Sequence, residues 1–403
     1  MVPLHHKKVK ALLICTIFLL CLTLGGSALF GQEAYEDDVF FVYQPSNTIP
    51  AGNFGQPNRL WVSADAAILM DATTGQVLYE KNAHKRRPIA STTKIMTALL
   101  AIECGNLKSV ATVSKHAAGT EGSSIYLRAG EKLTLEHLLY GALMHSGNDA
   151  CVAIAEHIAG KEELFVNLMN YKAYLLGARN THFANTNGLP HDQHLSTAYD
   201  LALITRHALK NPVFKQIVAT RTHKIKGPQG LRYLANTNQM LWSYQGANGV
   251  KTGTTNAAGK CLVSSATRDG RLLIAVVLHA GDRYADSIRL LDYGFQNFTN
   301  HTVVKKGEVV STIKVNEGIK AEVPVVADRD LVVTIPVKRT DMIDRLVEIE
   351  PVLQAPIKSG QKVGGIKVKV NGQFVTAANL ITKEPVDLLP LHKLIWHRMR
   401  RQL

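Results

Sequence analysis

The hydrophobic period of the chain changes twice between residues 66 and 298, and this constrains the fold more than any other feature. AAILMD and QVLYE flank a Gly-bearing turn, the pattern of a β-hairpin. A helix is expected from about Ser91: Pro88 precedes it, Ile95, Met96, Leu99, Leu100 and Ile102 form its apolar side, and Gly105 stops it. Helical spacing then dominates residues 133–210 (LEHLLYGALMHS, ACVAIAEHIAG, EELFVNLMNYKAYLLG, STAYDLALITRHALK), broken by loops rich in Asn, Gly and Pro. Strand signals return at 249–254, 261–267 and 272–280, the last two joined at Asp269-Gly270, and a helix around 288–298 closes the block. Strands at both ends of a helical segment suggest one sheet assembled from both ends. A mixed α/β domain with helices packed on a mainly antiparallel sheet is therefore expected.

Beyond residue 300 the pattern is different. VVSTIKV, AEVPVVA, LVVTIPV and GGIKVKVNGQFV alternate Val and Ile with polar residues across 303–382, which indicates a separate, small all-β domain. Leu391, Leu394, Ile395 and Met399 then fall at helical spacing opposite Lys393, Arg398 and Arg401, with Trp396 beside them. This reads as a basic amphipathic helix suited to an anionic membrane surface. At the other end, a cationic stretch, an apolar run over 11–24 and the small residues GGSA read as a signal peptide cleaved after Ala28; an uncleaved anchor is the alternative, because 11–32 carry no charge. The expected organisation is a signal peptide over 1–28, an acidic, Pro-broken arm over 29–61, the α/β domain over 62–300, the β-rich domain over 301–383 and the amphipathic helix over 384–403. Such a protein is exported and sits on the outer face of the cytoplasmic membrane. Lys7, Lys8, Lys10, Lys393, Arg398, Arg400 and Arg401 supply half of the formal charge of +14, so the remainder is too modest to argue for nucleic acid.

Three short strings carry candidate chemistry: Ser91-Thr92-Thr93-Lys94, Ser146-Gly147-Asn148 and Lys251-Thr252-Gly253. Other S-x-x-K strings occur at Ser311 and Ser359, but only this set has all three parts in order, with Ser91 and Ser146 separated by 55 residues and Ser146 and Lys251 by 105. Three residues apart at a helix start, Ser91 and Lys94 share a face. A serine hydroxyl is a poor nucleophile, and an amine can take its proton only if burial or a second cation, here Lys251, depresses the amine pKa. Ser146 can relay a proton to a leaving amine, and Asn148 can bind Lys94 and a substrate amide. Lys251 with Thr252 can hold a terminal carboxylate, and Gly253 lets substrate backbone lie against the strand. The N–H of Thr254 would complete an oxyanion pair with backbone at the helix start.

The sequence resembles the serine D-alanyl-D-alanine carboxypeptidases, the low-molecular-weight penicillin-binding proteins. Beyond the three motifs the resemblance runs through AILMDATTGQVLYEKNAHKRRPIASTTKIMTALL, EGSSIYLRAGEKLTLEHLLYGALMHSGNDACVAIAEHIAG, THFANTNGLPHDQHLSTAYDLA and NGVKTGTTNAAGKCLVSSATRDGRLLIAVVL. It reaches the β-rich domain at APIKSGQKVGGIKVKVNG. It implies a β-lactamase/transpeptidase-like fold with Ser91 as acylated nucleophile, Lys94 as its base, Ser146 and Asn148 as the proton relay and Lys251 with Thr252 as the carboxylate grip. It also implies removal of the terminal D-alanine from peptidoglycan pentapeptide stems, covalent inhibition by β-lactam antibiotics and a C-terminal amphipathic anchor. Asn248 stands where members of the family often carry Asp.

The same residues would serve a DD-endopeptidase or transpeptidase, or a penicillin sensor that acylates without turnover. A class A β-lactamase fits less well, since it uses a Glu to position water and no Glu occurs between Glu163 and Glu308. No cofactor and no metal are expected: there is no H-E-x-x-H string, and His191 and His194 read as loop histidines. Cys104, Cys151 and Cys261, widely spaced in apolar contexts, read as small buried hydrophobes.

Overall fold

The structure, a computed structural model, describes residues 60–227 and 230–400. The expected signal peptide and nearly all of the expected arm lie outside the described residues. Of those described, 60–70 and 79–293 form one compact unit, and 71–78 with 294–400 form a second.

The first unit is built on a five-stranded sheet of order β2-β1-β9-β8-β7, with β1 Ala66–Asp71, β2 Val77–Lys81, β7 Ala247–Thr255, β8 Gly259–Arg268 and β9 Arg271–Ala280. Early and late strands thus share one sheet, and the β7–β8 and β8–β9 pairs are antiparallel. In the β8–β9 turn both Asp269 and Gly270 have positive φ, as a two-residue hairpin of matching twist requires. The middle of β8 and β9, from Cys261 to Ala266 and from Leu273 to Leu278, is buried without alternation, so both faces of the sheet are covered. α5 (Ala198–Ala208) packs on β9 and α6 (Pro212–Ala219) on β7.

At the centre of the helical part is α1 (Lys94–Cys104), in contact with α2 (Leu135–Met144), α3 (Asn148–Ala159), α4 (Glu162–Leu175) and α5. Every residue from Lys94 to Ala101 is buried, so α1 is a core helix rather than an amphipathic one. Burying Ile95, Met96 and Leu99 stabilises the unit by about 1.5–3 kcal/mol each. One consequence is that the helix begins with a lysine that has nowhere to reach water. The carboxylate of Asp286 in α7 (Arg283–Asn297) is fully buried and accepts from Ser63 N–H (2.9 Å), Ser63 Oγ (2.6 Å) and Ala64 N–H (2.8 Å), which ties α7 to the chain entering β1.

Sequence periodicity does not reveal α6, or two short strand pairs. Val110–Thr112 (β3) pairs with Lys132–Thr134 (β4), and Thr222–Gly227 (β5) pairs with Gly230–Ala235 (β6). The helix expected from Ser91 also differs in detail. Ala90–Thr93 is a 3₁₀ turn, and the α-helix starts at Lys94. The hydroxyls of Thr92 and Thr93 donate back to Ile89 O and Ala90 O, both at 2.7 Å, and this local bonding tightens the turn.

The second unit is β-rich, as expected. Its main sheet has the order β14-β16-β17-β12-β11-β15, from β11 (Val309–Asn316), β12 (Glu322–Ala327), β14 (Ile343–Ile349), β15 (Val352–Gln354), β16 (Lys362–Val370) and β17 (Gln373–Thr382). β10 (Phe298–Val304) and β13 (Leu331–Pro336) form a separate antiparallel pair. Alternating Val, Ile and Leu fill the core between them. α8 (Leu391–Arg400) follows Pro390; Leu394 is buried, whereas Leu391, Ile395, Trp396 and Met399 are exposed. No helix among the described residues is long and apolar enough to cross a membrane.

Candidate active site

The 3₁₀ turn decides how the Ser91 hydroxyl and the Lys94 amine meet. With three residues per turn, side chains at i and i+3 eclipse, so Ser91 and Lys94 stack directly. Lys94 Nζ lies 3.0 Å from Ser91 Oγ. It also donates to Asn148 Oδ1 (2.8 Å) and to Asn187 O (2.6 Å), which uses all three donors that an ammonium has. Asn148, the first residue of α3, is oriented in turn: its Nδ2 donates to Glu121 O (2.6 Å), and its N–H donates to Ser123 O (2.7 Å). Ser146 precedes it in the α2–α3 loop, buried and at φ +65°, and its hydroxyl is not among the three partners of Lys94 Nζ.

Burial pushes Lys94 down to about 8 from the usual lysine value of 10.5, while Cys151 and Asp149 pull the other way. The shift therefore comes from desolvation. The sequence reading assigned part of it to a second cation, Lys251. Instead Lys251 is itself the more strongly depressed group, first by its own burial and then by Lys94. Lys251 is 1% exposed and donates to Thr252 O at 2.9 Å.

β7 is an edge strand, and it runs against the Ser91 turn. A Cβ on Gly253 would lie 3.0 Å from Ser91 N and 3.1 Å from Ile89 O. The missing side chain thus lets the strand approach the backbone of Ser91. Thr252 Oγ1 is 2.7 Å from Thr237 Oγ1. Thr254 Oγ1 accepts from Arg283 Nη1 at 2.8 Å, and the same nitrogen donates to Gly253 O at 3.0 Å. Arg283 was not singled out by sequence; it reaches β7 from the first residue of α7.

Two further contributors come from the loop over 184–195. Asn187 supplies only its carbonyl. Beside it Gly188 has φ +91°, and a Cβ there would fall 1.9 Å from Ala90 O, so no other residue fits against the turn. His194, read above as a loop histidine, is buried. Its Nδ1 accepts from Ala184 N–H (3.1 Å), which places the ring proton on Nε2. That atom donates to Thr93 Oγ1 (2.7 Å), whose own proton goes to Ala90 O. Burial, aided by His182, His191 and Lys94, pushes His194 down to about 4, so the ring stays neutral. The chain from His194 to Ala90 O holds the residue before Ser91, itself at φ +46°. A cavity of about 210 Å³ beside it is lined by Ile89, Ala90, Leu189, His191, Asp192 and Thr255.

The remaining expectations concern cysteines and metals. Cys151 and Cys261 are buried and Cys104 is half-buried, and none of the three is in a disulfide. No group of three His, Cys, Asp or Glu side chains among the described residues is placed to hold a metal ion.

Residues 54–282 match the family model described as D-alanyl-D-alanine carboxypeptidase, and residues 298–387 match that of the penicillin-binding protein 5 C-terminal domain. The D-alanyl-D-alanine carboxypeptidase DacF of Bacillus subtilis is 36% identical over 332 residues, 80% of this chain and 85% of that protein. Among solved structures, penicillin-binding protein 5 from Haemophilus influenzae superposes with a TM-score of 0.72 at 30% identity, covering 82% of this chain and all of that one. A mutant of the Streptomyces K15 DD-transpeptidase gives a TM-score of 0.56 at 35% identity, covering 59% of this chain and 99% of that one.

Proposed function

The chain belongs to the D-alanyl-D-alanine carboxypeptidase family of serine peptidases, and on that footing we propose how its own residues remove the terminal D-alanine from a peptidoglycan pentapeptide stem. It is a serine-type hydrolase and a penicillin-binding protein. The observation that carries the assignment of the nucleophile is the triple contact of Lys94 Nζ with Ser91 Oγ, Asn148 Oδ1 and Asn187 O.

Neutral Lys94 takes the Ser91 proton as Oγ attacks the carbonyl of the penultimate D-alanine. The N–H groups of Ser91 and Thr254 receive the oxyanion. The proton then passes from Lys94 through the Ser146 hydroxyl to the leaving nitrogen, the C–N bond breaks, and D-alanine departs. Water attacks the resulting ester, the C–O bond to Ser91 breaks, and Oγ regains a proton through Lys94. A β-lactam ring opens by the same attack and stays on Ser91. Asn148 holds Lys94 and a substrate amide, Gly253 brings β7 up to Ser91, and the cavity beside Ala90 takes the upstream part of the stem.

Lys251 and Thr252 grip the free carboxylate. A carboxylate arriving beside Lys251 restores the proton that burial disfavours, so a carboxylate-bearing substrate is bound far better than a blocked one. A soluble peptide ending in D-alanyl-D-alanine is therefore expected to be cleaved about 100-fold faster, in kcat/KM, than its C-terminal amide. Lys251→Met should shrink that ratio severalfold. An unchanged ratio in the variant would contradict the role of Lys251.

The likeness to a DD-transpeptidase favours one second reading, in which an amine in place of water takes the acyl group. Product analysis in the presence of an amine acceptor separates the two.

The enzyme acts outside the cytoplasmic membrane, with its leader directing export and α8 lying on the anionic outer surface. Supporting this, Leu391 (72% exposed), Ile395 and Met399 are exposed on a helix that bears Lys393 and no acid. Removing residues 388–403 is expected to move the protein from the membrane to the soluble fraction while activity on a soluble peptide stays within about twofold. Continued membrane retention would assign the anchor to the leader instead.

A further inference from the structure

The β5–β6 hairpin breaks the usual rule for a surface ribbon, in which the outward face is polar. Inward positions are taken by Ile225 and Leu234, which are buried, and by Arg232, which is half-buried. Outward positions carry Leu231 (56% exposed) and Tyr233 (68% exposed). Directly across the ribbon, Leu231 faces Lys226 and Tyr233 faces Lys224, whose Nζ lies 5.2 Å from the Tyr233 ring centroid. Apolar and cationic groups thus alternate on one exposed face. The hairpin itself carries no acid, since no Asp or Glu occurs between Asp200 and Asp269.

This face is held rigidly and aligned with the cleft. Arg232, on the inner side, donates to Glu131 Oε1 (2.6 Å) and Oε2 (2.8 Å) in a bidentate pair, and to Ile125 O (2.9 Å) and Tyr126 O (3.1 Å). Ile125 belongs to the loop that supplies Glu121 O and Ser123 O to Asn148. At the other end β6 runs out to Thr237, whose hydroxyl meets Thr252 at 2.7 Å. Leu231, Tyr233, Ala235 and Thr237 are all exposed at alternate positions, so the face leads from solvent down to the strand that carries Lys251.

We propose that the outward face of the β5–β6 hairpin is a secondary binding surface for acidic, polymeric peptidoglycan, engaging strands that neighbour the stem peptide whose end occupies the cleft. This rests on the functional reading above. Charge and distance both argue for that occupant. The stem peptides of the polymer repeat carboxylates at short intervals and their sugars present apolar ring faces, which match lysines interleaved with Tyr and Leu. At a rise of about 3.3 Å per residue, Tyr233 stands about 13 Å from Thr237 and Leu231 about 20 Å. A D-alanyl-D-alanine end is only about 7 Å long. A short substrate cannot reach the face, whereas a wall polymer must pass over it.

The test uses the full chain carrying Ser91→Ala, sedimented with insoluble peptidoglycan, and in parallel the Ser91-containing enzyme acting on a soluble peptide ending in D-alanyl-D-alanine. Two variants probe the face independently: Leu231→Ser/Tyr233→Ser removes its apolar groups, and Lys224→Glu/Lys226→Glu reverses its charge. Each should weaken co-sedimentation by about tenfold while kcat/KM on the soluble peptide stays within about twofold. Unchanged co-sedimentation in both variants would overturn the proposal. So would a parallel loss on the soluble peptide, since the hairpin would then only shape the cleft. If the unmodified enzyme fails to release D-alanine, the functional reading falls, and the sedimentation result still decides the surface.

Discussion

Ser91→Ala lowers the release of D-alanine from a D-alanyl-D-alanine peptide by about 10⁴-fold or more in kcat, and it ends covalent labelling by penicillin entirely. The size of the effect follows from covalent catalysis. Without Oγ there is no atom to carry the acyl group, and the oxyanion donors have no attack to stabilise. The fold should be nearly indifferent, because Ser91 is half-buried and its only contribution to Lys94 is one of three hydrogen bonds. Steady-state hydrolysis, intact-mass labelling and a melting curve on the same preparation distinguish these effects. Labelling that survives in Ser91→Ala would move the nucleophile elsewhere.

Lys94→Ala is the second large effect, expected at about 10³-fold or more in the rate of acylation, and here activity and stability part company. The activity term is simple: the base is lost. With the base held down to about 8, the unmodified enzyme should acylate faster as pH rises, levelling above about 8, a slope that the variant lacks. The stability term has two opposed parts. Removing the amine leaves Asn148 Oδ1 and Asn187 O without their donor, at about 1–3 kcal/mol for each buried group left unsatisfied. It also removes the cost of burying an amine. Between about 8 and 10.5 the unfolded chain holds this proton and the folded one does not, so the stability of the unmodified enzyme rises with pH across that window. Lys251, also depressed by burial, contributes to the same rise, so Lys94→Ala should reduce its slope without abolishing it, which melting temperatures measured across the window would detect. A slope in Lys94→Ala equal to that of the unmodified enzyme would mean that Lys94 does not titrate there.

The extent to which this site can be read from sequence depends on which atoms do the work. The roles proposed for Ser91, Lys94, Ser146, Asn148 and Lys251 rest on side chains at fixed spacings, and their order along the chain places them on a turn, a helix start and an edge strand. Asn187 acts through its carbonyl, which any residue would supply, so no motif of side chains encodes it. The nearby signal was Gly188, whose conformation admits no side chain against Ala90. His194 touches Thr93 across 101 residues of sequence, and Arg283 reaches Gly253 across 30, and such contacts arise only once the fold has closed. For the fold, the sheet built from both ends was legible because β8 and β9 are long, apolar and joined by an Asp-Gly turn. The β5–β6 hairpin was not, because Leu231 and Tyr233 stand on its solvent face and blur the alternation that marks a strand. The start of α1 was displaced by three residues because the hydroxyls of Thr92 and Thr93 bond back to the turn, a choice that periodicity cannot register.

The measurement that bears most directly on the central claim is peptide-level mass spectrometry of the unmodified enzyme after mixing with a D-alanyl-D-alanine peptide and, separately, with penicillin. Release of one D-alanine per peptide, together with a penicillin adduct confined to the fragment that contains Ser91, is the expected result. An adduct on any other residue, or D-alanine release without any Ser91 adduct, would contradict the claim.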